Sequence, residues 1–192
     1  PPVVAAMVAN RALLVMFGTS DELERSGIFE SNVLDGFWGQ DLAADETAPP
    51  GRFDAALEEV LHLITTAGYE RVYPAAFSSA PGSVLTDAMD LARGGRFMGV
   101  PARYPDEAWY HYDDQTCDYR CMAVEYFYWA LTSILGAQSR PERCAEIRRE
   151  WELCNRAAVE AGDPAVFRLM TNPMYRLPTR LPDGVYAPPA ME

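Results

Sequence analysis

The first continuous apolar run is Ala12-Leu13-Leu14-Val15-Met16-Phe17, closed by Gly18 and followed by the polar turn Ser20-Asp21. A run this short and this apolar predicts a buried strand over 12–17. Phe29, Val33, Leu34, Phe37 and Trp38 mark 28–40 as a strand or a loop packed on the core. Residues 41–51, ending in Pro-Pro-Gly, read as an acidic loop. From 53 to 67 the period becomes helical. Phe53, Leu57, Val60, Leu61 and Ile64 fall on one stripe, with Gly68 placed as a C-terminal cap. Residues 69–77 read as irregular or a short strand, and 83–93 as a helix stopped by Gly94-Gly95.

The segment 97–112, rich in Pro and aromatics, predicts an ordered loop. Residues 121–137 are apolar almost all round, which marks a helix buried at the centre of the fold, and Glu125 is its only charge. A charged outer helix follows over 141–161, with Pro141 suited to its first turn and Gly162 to its end. Five prolines after position 172 predict an extended tail, 172–192, packed on the surface. Residues 1–192 thus read as a single α+β domain, helix-rich in its C-terminal half.

Composition narrows the function. At 49% hydrophobic residues the chain is not wholly disordered, and no apolar run is long enough to span a bilayer. The net charge is −12, and all sixteen basic residues are Arg, a balance that repels phosphate backbones and argues against nucleic acid as a partner. With only His62 and His111 present, a three-His metal site is impossible within one chain. There is no Gly-x-Ser-x-Gly elbow and no Gly-rich phosphate loop. The start, Pro1-Pro2 without Met, reads as trimmed or processed.

The residues that carry chemistry lie on the first amphipathic helix, Leu57-Glu58-Glu59-Val60-Leu61-His62. Glu58 and His62 are four apart, so their side chains share a helical face and can converge on one ion. This stretch resembles the active-site helix of zincin metallopeptidases, His-Glu-x-x-His, with Glu58 in place of the first histidine. The resemblance implies a zincin-like fold acting on peptide or protein substrates. It implies zinc held by His62 and by Glu58, with Glu59 as general base on metal-bound water. In the gluzincin branch a Glu from a second helix completes the site, a part that falls to Glu125. The alternative is a non-catalytic zincin-like or helical binding domain that has lost its metal.

Other readings stay open on the residues alone. Glu58 and Glu59 suit a solvated helix face, and His62, opposite the apolar stripe, suits the surface. Glu125 fits a ligand or a buried salt bridge to an arginine such as Arg120. Tyr110, His111, Tyr112 and Asp113 could contact substrate or support a metal. They equally fit an aromatic loop over the end of the central helix, with Asp114 or Thr116 capping it. Tyr126, Tyr128 and Trp129 read as core. The four cysteines lack CxxC spacing, and a thiol site with His111 has less support. A hairpin of helices 121–137 and 141–161 places Cys154 beside Cys121 or Cys117 and leaves Cys144 alone. One disulfide is therefore expected, which favours an extracytoplasmic or secreted protein.

Overall fold

Two short strands set one edge of the molecule. In the computed structural model, which describes residues 1–47 and 53–182, β1 (Ala12–Phe17) pairs in parallel with β2 (Trp38–Ala43), Ala12 opposite Trp38 and Phe17 opposite Ala43. Parallel neighbours need a crossover. Helix α2 (Ser20–Ser26) and a 3-10 turn at Asn32–Leu34 supply it. The strand expected at 12–17 forms there, but none of its residues is buried and Met16 is 63% exposed, so the buried reading is corrected. The second lies at the end of the 28–40 segment and takes in 41–43 from the expected acidic loop, because Leu42 and Ala43 are buried. Residues 48–51 of that loop lie outside the described residues. The polar turn at Ser20-Asp21 is instead the start of α2. There Thr19 accepts a hydrogen bond from the Glu22 amide, and Gly27, at φ 56°, ends the helix.

Helix α1 (Pro2–Ala9), which the sequence reading missed, packs on the turn that follows the motif helix. That motif helix, α3 (Ala56–Ile64), does not stop at Gly68. It continues through a π-helical turn, Thr65–Tyr69, into α4 (Glu70–Val72), and α5 (Pro74–Phe77) follows. The irregular or strand-like reading of 69–77 is thus corrected to helix. Gly68 is not a cap: a Cβ there would lie 2.7 Å from Val3 and 3.1 Å from Met7, so its bare backbone lets α1 approach. Helix α6 (Val84–Ala92) forms where expected, with Ser83 and Thr86 in a reciprocal capping box.

The central helix, α7 (Tyr119–Leu135), is buried nearly all round and packs against α3, α6, α9 and α10. Asp118 caps it by accepting the Cys121 amide at 2.9 Å, and Gly136 closes it in the left-handed region at φ 90°. The expected caps, Asp114 and Thr116, bond each other in the preceding turn instead.

The single outer helix over 141–161 is corrected to two pieces, α8 (Pro141–Ile147) and α9 (Arg156–Gly162), with α10 (Pro164–Thr171) following. Between α8 and α9 the chain folds inward to bury Trp151, whose indole donates to Ser133 Oγ and to the Leu153 carbonyl. This break decides the disulfides, which join Cys117 to Cys121 and Cys144 to Cys154. A continuous helix would hold positions 144 and 154 about 15 Å apart; here their Cα atoms are 5.4 Å apart. The expected Cys154 pairing is overturned for that reason, and Cys144 is not alone.

From Asn172 to Pro182 the chain has no regular helix or strand and lies on the core. Leu177 is buried, the Arg176 carbonyl accepts the Tyr69 hydroxyl at 3.0 Å, and Tyr175 meets Phe77 edge-on. Residues 183–192 of the expected tail lie outside the described residues. Among the described residues no helix is long and apolar enough to cross a membrane.

Candidate metal centre

Helix α3 buries an unexpected face. Within the apolar stripe Leu61 is buried in the core, whereas Val60 is 37% exposed and lines a groove with Leu135, Leu181 and Pro182. The polar side turns inward as well, with α3 packed against α7 and β2. The side chains of His62 and Glu125 keep only 12% and 7% of their exposure. The surface reading of His62 and the solvated reading of the two glutamates are both corrected.

The helical spacing puts Glu58 and His62 on one side of α3, and α7 delivers Glu125 opposite them. One ligand atom from each of the three lies within 4.8 Å of the others. His62 Nε2 is 3.4 Å from Glu125 Oε1, at the limit of contact and not aligned as a hydrogen bond. His62 Nε2 and Glu125 Oε2 are both buried without a hydrogen-bond partner. Glu125 does not pair with Arg120, which instead reaches Glu70 at 3.7 Å.

Glu59 lies behind this group. Its Oε2 is 3.8 Å from His62 Nδ1 and accepts a hydrogen bond from the Gln40 amide on β2. On the α7 side, the Tyr128 hydroxyl lies close enough to Glu58 for each to shift the other's pKa, and its ring meets His62 edge-on at 6.2 Å. The apolar groove holds about 140 Å³, and an open cavity of about 720 Å³ reaches Glu58 between Phe53, Arg140, Glu142, Arg143 and Glu146.

The electrostatics follow from crowding acids in a poorly solvated place. Burial, reinforced by the Glu125 carboxylate, pushes Glu58 up to about 7. Burial likewise lifts Glu59 to about 7, against the pull of His62 and with repulsion from Asp41. For His62, burial favours the neutral ring, but the three surrounding carboxylates outweigh it and raise its pKa above 6.5.

The second cluster is mostly not brought to this centre. Tyr110 is fully buried and donates to the Met122 carbonyl at 2.8 Å, a structural bond. The His111 amide bonds the Glu150 carbonyl and its ring meets Tyr104; Asp113 is exposed. Tyr110 and Tyr112 both lie near enough to Glu125 to feel its carboxylate, and of the two only Tyr112 also feels Glu58. Burial first, then the nearby Glu125 and Glu58 carboxylates, raise the pKa of Tyr112. Sequence reading placed Tyr128 in the core and overlooked Gln40. The signal for Tyr128 was available: it lies three residues after Glu125 on one helix and so shares its face.

The chain was compared with family models, curated proteins and solved structures, and nothing matches.

Proposed function

We propose that the protein is a zincin-like, metal-dependent hydrolase of peptide or protein substrates, with zinc held by Glu58, His62 and Glu125. The observation that carries this reading is the convergence of one imidazole and two carboxylates in which His62 Nε2 and Glu125 Oε2 are buried without partners. Leaving such atoms unpaired costs about 1–3 kcal/mol each, and more when charged. A divalent cation removes both deficits and neutralises the two acids. Nitrogen and carboxylate oxygen are a donor set that zinc accepts. When bound, zinc supplies Lewis acidity toward a carbonyl and lowers the pKa of water.

The residues of the chain divide the remaining work. Glu59, three positions before His62 and raised to about 7 by burial, is suited to take up a proton near neutral pH, and from its place beside His62 Nδ1 it also orients the ring that presents Nε2 to the metal. Gln40 holds its carboxylate in place meanwhile. The cavity beside Glu58 gives a substrate access from the α8 side. The two disulfides support an extracytoplasmic setting.

The test is metal analysis of tag-free protein, followed by assay against quenched peptide libraries. About one equivalent of zinc and chelator-sensitive hydrolysis are expected. Protein that neither retains zinc nor gains thermal stability from added zinc overturns the metal reading. That outcome favours the alternative, a non-catalytic domain that has lost its metal, whereas zinc binding without hydrolysis overturns the hydrolase reading alone.

A further inference from the structure

Behind Glu58 stands a row of side chains whose hydrogen bonds can run in only one direction. Arg143 Nε donates to Gln138 Oε1 at 2.8 Å. A guanidinium has donors only, so this contact fixes which end of the Gln138 amide is oxygen. The Gln138 amide nitrogen therefore faces the other way, 3.2 Å from the Tyr128 hydroxyl and 3.1 Å from Thr132 Oγ1. Thr132 has already given its proton to the Tyr128 carbonyl at 2.6 Å, so it can only accept from Gln138. Tyr128 likewise accepts from Gln138, which leaves its one proton free to turn toward the neighbouring Glu58 carboxylate, with which it interacts electrostatically.

Gln138, Thr132 and Tyr128 are buried, so water does not compete for these bonds. Arg143 is itself anchored, with its guanidinium 4.0 Å over the Phe53 ring and bonded to Glu146 at 2.9 Å. The row begins on α8, passes through the turn after α7, and ends on α3. It ties the position of one acid to the packing of three segments.

We infer that Arg143, Gln138 and Tyr128 are positioning residues, which together aim a proton donor at Glu58 and hold its carboxylate as a ligand for a divalent cation. The inference rests on the metal centre proposed above. Its distinctive consequence concerns polarity rather than packing. Gln138→Glu keeps the size of the side chain and its contact with Arg143, but presents an acceptor to Tyr128. The hydroxyl then turns its proton away from Glu58. Gln138→Met removes the amide without offering a rival acceptor, so Tyr128 still donates to Glu58.

The experiment measures zinc affinity by competition with a chromogenic chelator, and visible absorption of the cobalt-substituted protein. It compares wild type, Y128F, Q138E, Q138M and the Y128F/Q138E double variant. Supporting contacts of this kind are worth about 10–100-fold in affinity. A loss in that range is expected for Y128F and Q138E, with a changed cobalt spectrum. Q138M should lose less than Q138E, and the double variant no more than Y128F. If the row only packs the core, the order reverses: Q138M, which loses buried hydrogen bonds, is hurt more than Q138E. That order, or unaltered affinity in Y128F, overturns the inference even where Q138E fails to fold. A wild-type protein that binds no zinc overturns the metal centre and the inference together; tight wild-type binding with an unaltered Y128F overturns only the latter.

Discussion

Raising the pH should destabilise the metal-free protein, opposite to the usual behaviour of a protein whose carboxylates are salt-bridged. Glu58 and Glu59 have folded-state pKa values of about 7, above their ordinary 4.5. The folded chain therefore holds protons that the unfolded chain has released between those values. Stability is fully present below pH 4.5 and falls as the pH rises toward 7. His62, also raised, adds to the trend: its contribution is present below pH 6.5 and fades as pH climbs through the folded value. For Glu58 the shift corresponds to at most about 3.4 kcal/mol at 1.36 kcal/mol per unit. Interaction of Glu58 with the neighbouring charges of the cluster reduces this to about 2 kcal/mol. Glu59 keeps 20% of its side-chain exposure, and solvent screening leaves it about 1 kcal/mol. A loss of about 3 kcal/mol between pH 5 and 8 lowers Tm by about 6–12 °C in a chain of this size. Calorimetric melts in a metal chelator at pH 5, 6, 7 and 8 measure it. Glu58→Gln should flatten the slope by half or more. Excess zinc should reverse it, because ligation favours deprotonated groups. A metal-free Tm that is flat or rises over this range, or a slope unaltered by Glu58→Gln, refutes the reasoning.

Three further outcomes are expected. Glu125→Gln keeps the shape of the buried side chain but removes a ligand charge, so the variant should fold and lose the zinc-dependent gain in Tm. At zinc concentrations 100-fold above Kd that gain is about 2.7 kcal/mol, and a variant that retains it would falsify the role of Glu125. Glu59→Gln should keep its zinc and lose about 10²–10⁴-fold in hydrolysis rate; parallel loss of zinc would make Glu59 a support for His62 rather than a base. Denatured, unreduced protein should show no reactive thiol, since Cys117–Cys121 and Cys144–Cys154 account for all four cysteines. Replacing both Cys144 and Cys154 by Ala should cost about 2.5–3 kcal/mol in the chain-entropy treatment of a ten-residue loop, read as a shift in the urea midpoint.

Some features were legible in the residues because they are set locally. The run at 12–17 is a strand, the 83–93 region a helix with its own cap, and 121–137 a buried helix. In each case a few neighbouring residues carry the whole signal: an apolar run between turn residues, a Ser-Thr box, an apolar surface with Gly136 beyond it. The pairing of Glu58 with His62 was equally readable, since four-residue spacing on a helix places both on one side.

Which side of α3 faced inward was not readable. Helical periodicity gives two faces, and the more apolar one is ordinarily the buried one; here that face is split between the core, at Leu61, and a groove, at Val60, while the acids and His62 also turn toward α7. The choice depends on partners from distant sequence, with Glu125 63 positions beyond His62 and Gln40 on β2. The inward fold at Trp151 had no local marker either, because the segment's composition suits a helix and only the cavity that Trp151 fills rewards the break. That one break moved Cys154 from α7 to Cys144. The sequence by itself determined the elements whose stabilising contacts lie within a few residues of one another. The tertiary structure alone decided the inward face, the disulfide pairing and the meeting of Glu58, His62 and Glu125, because each depends on long-range packing that no local pattern encodes.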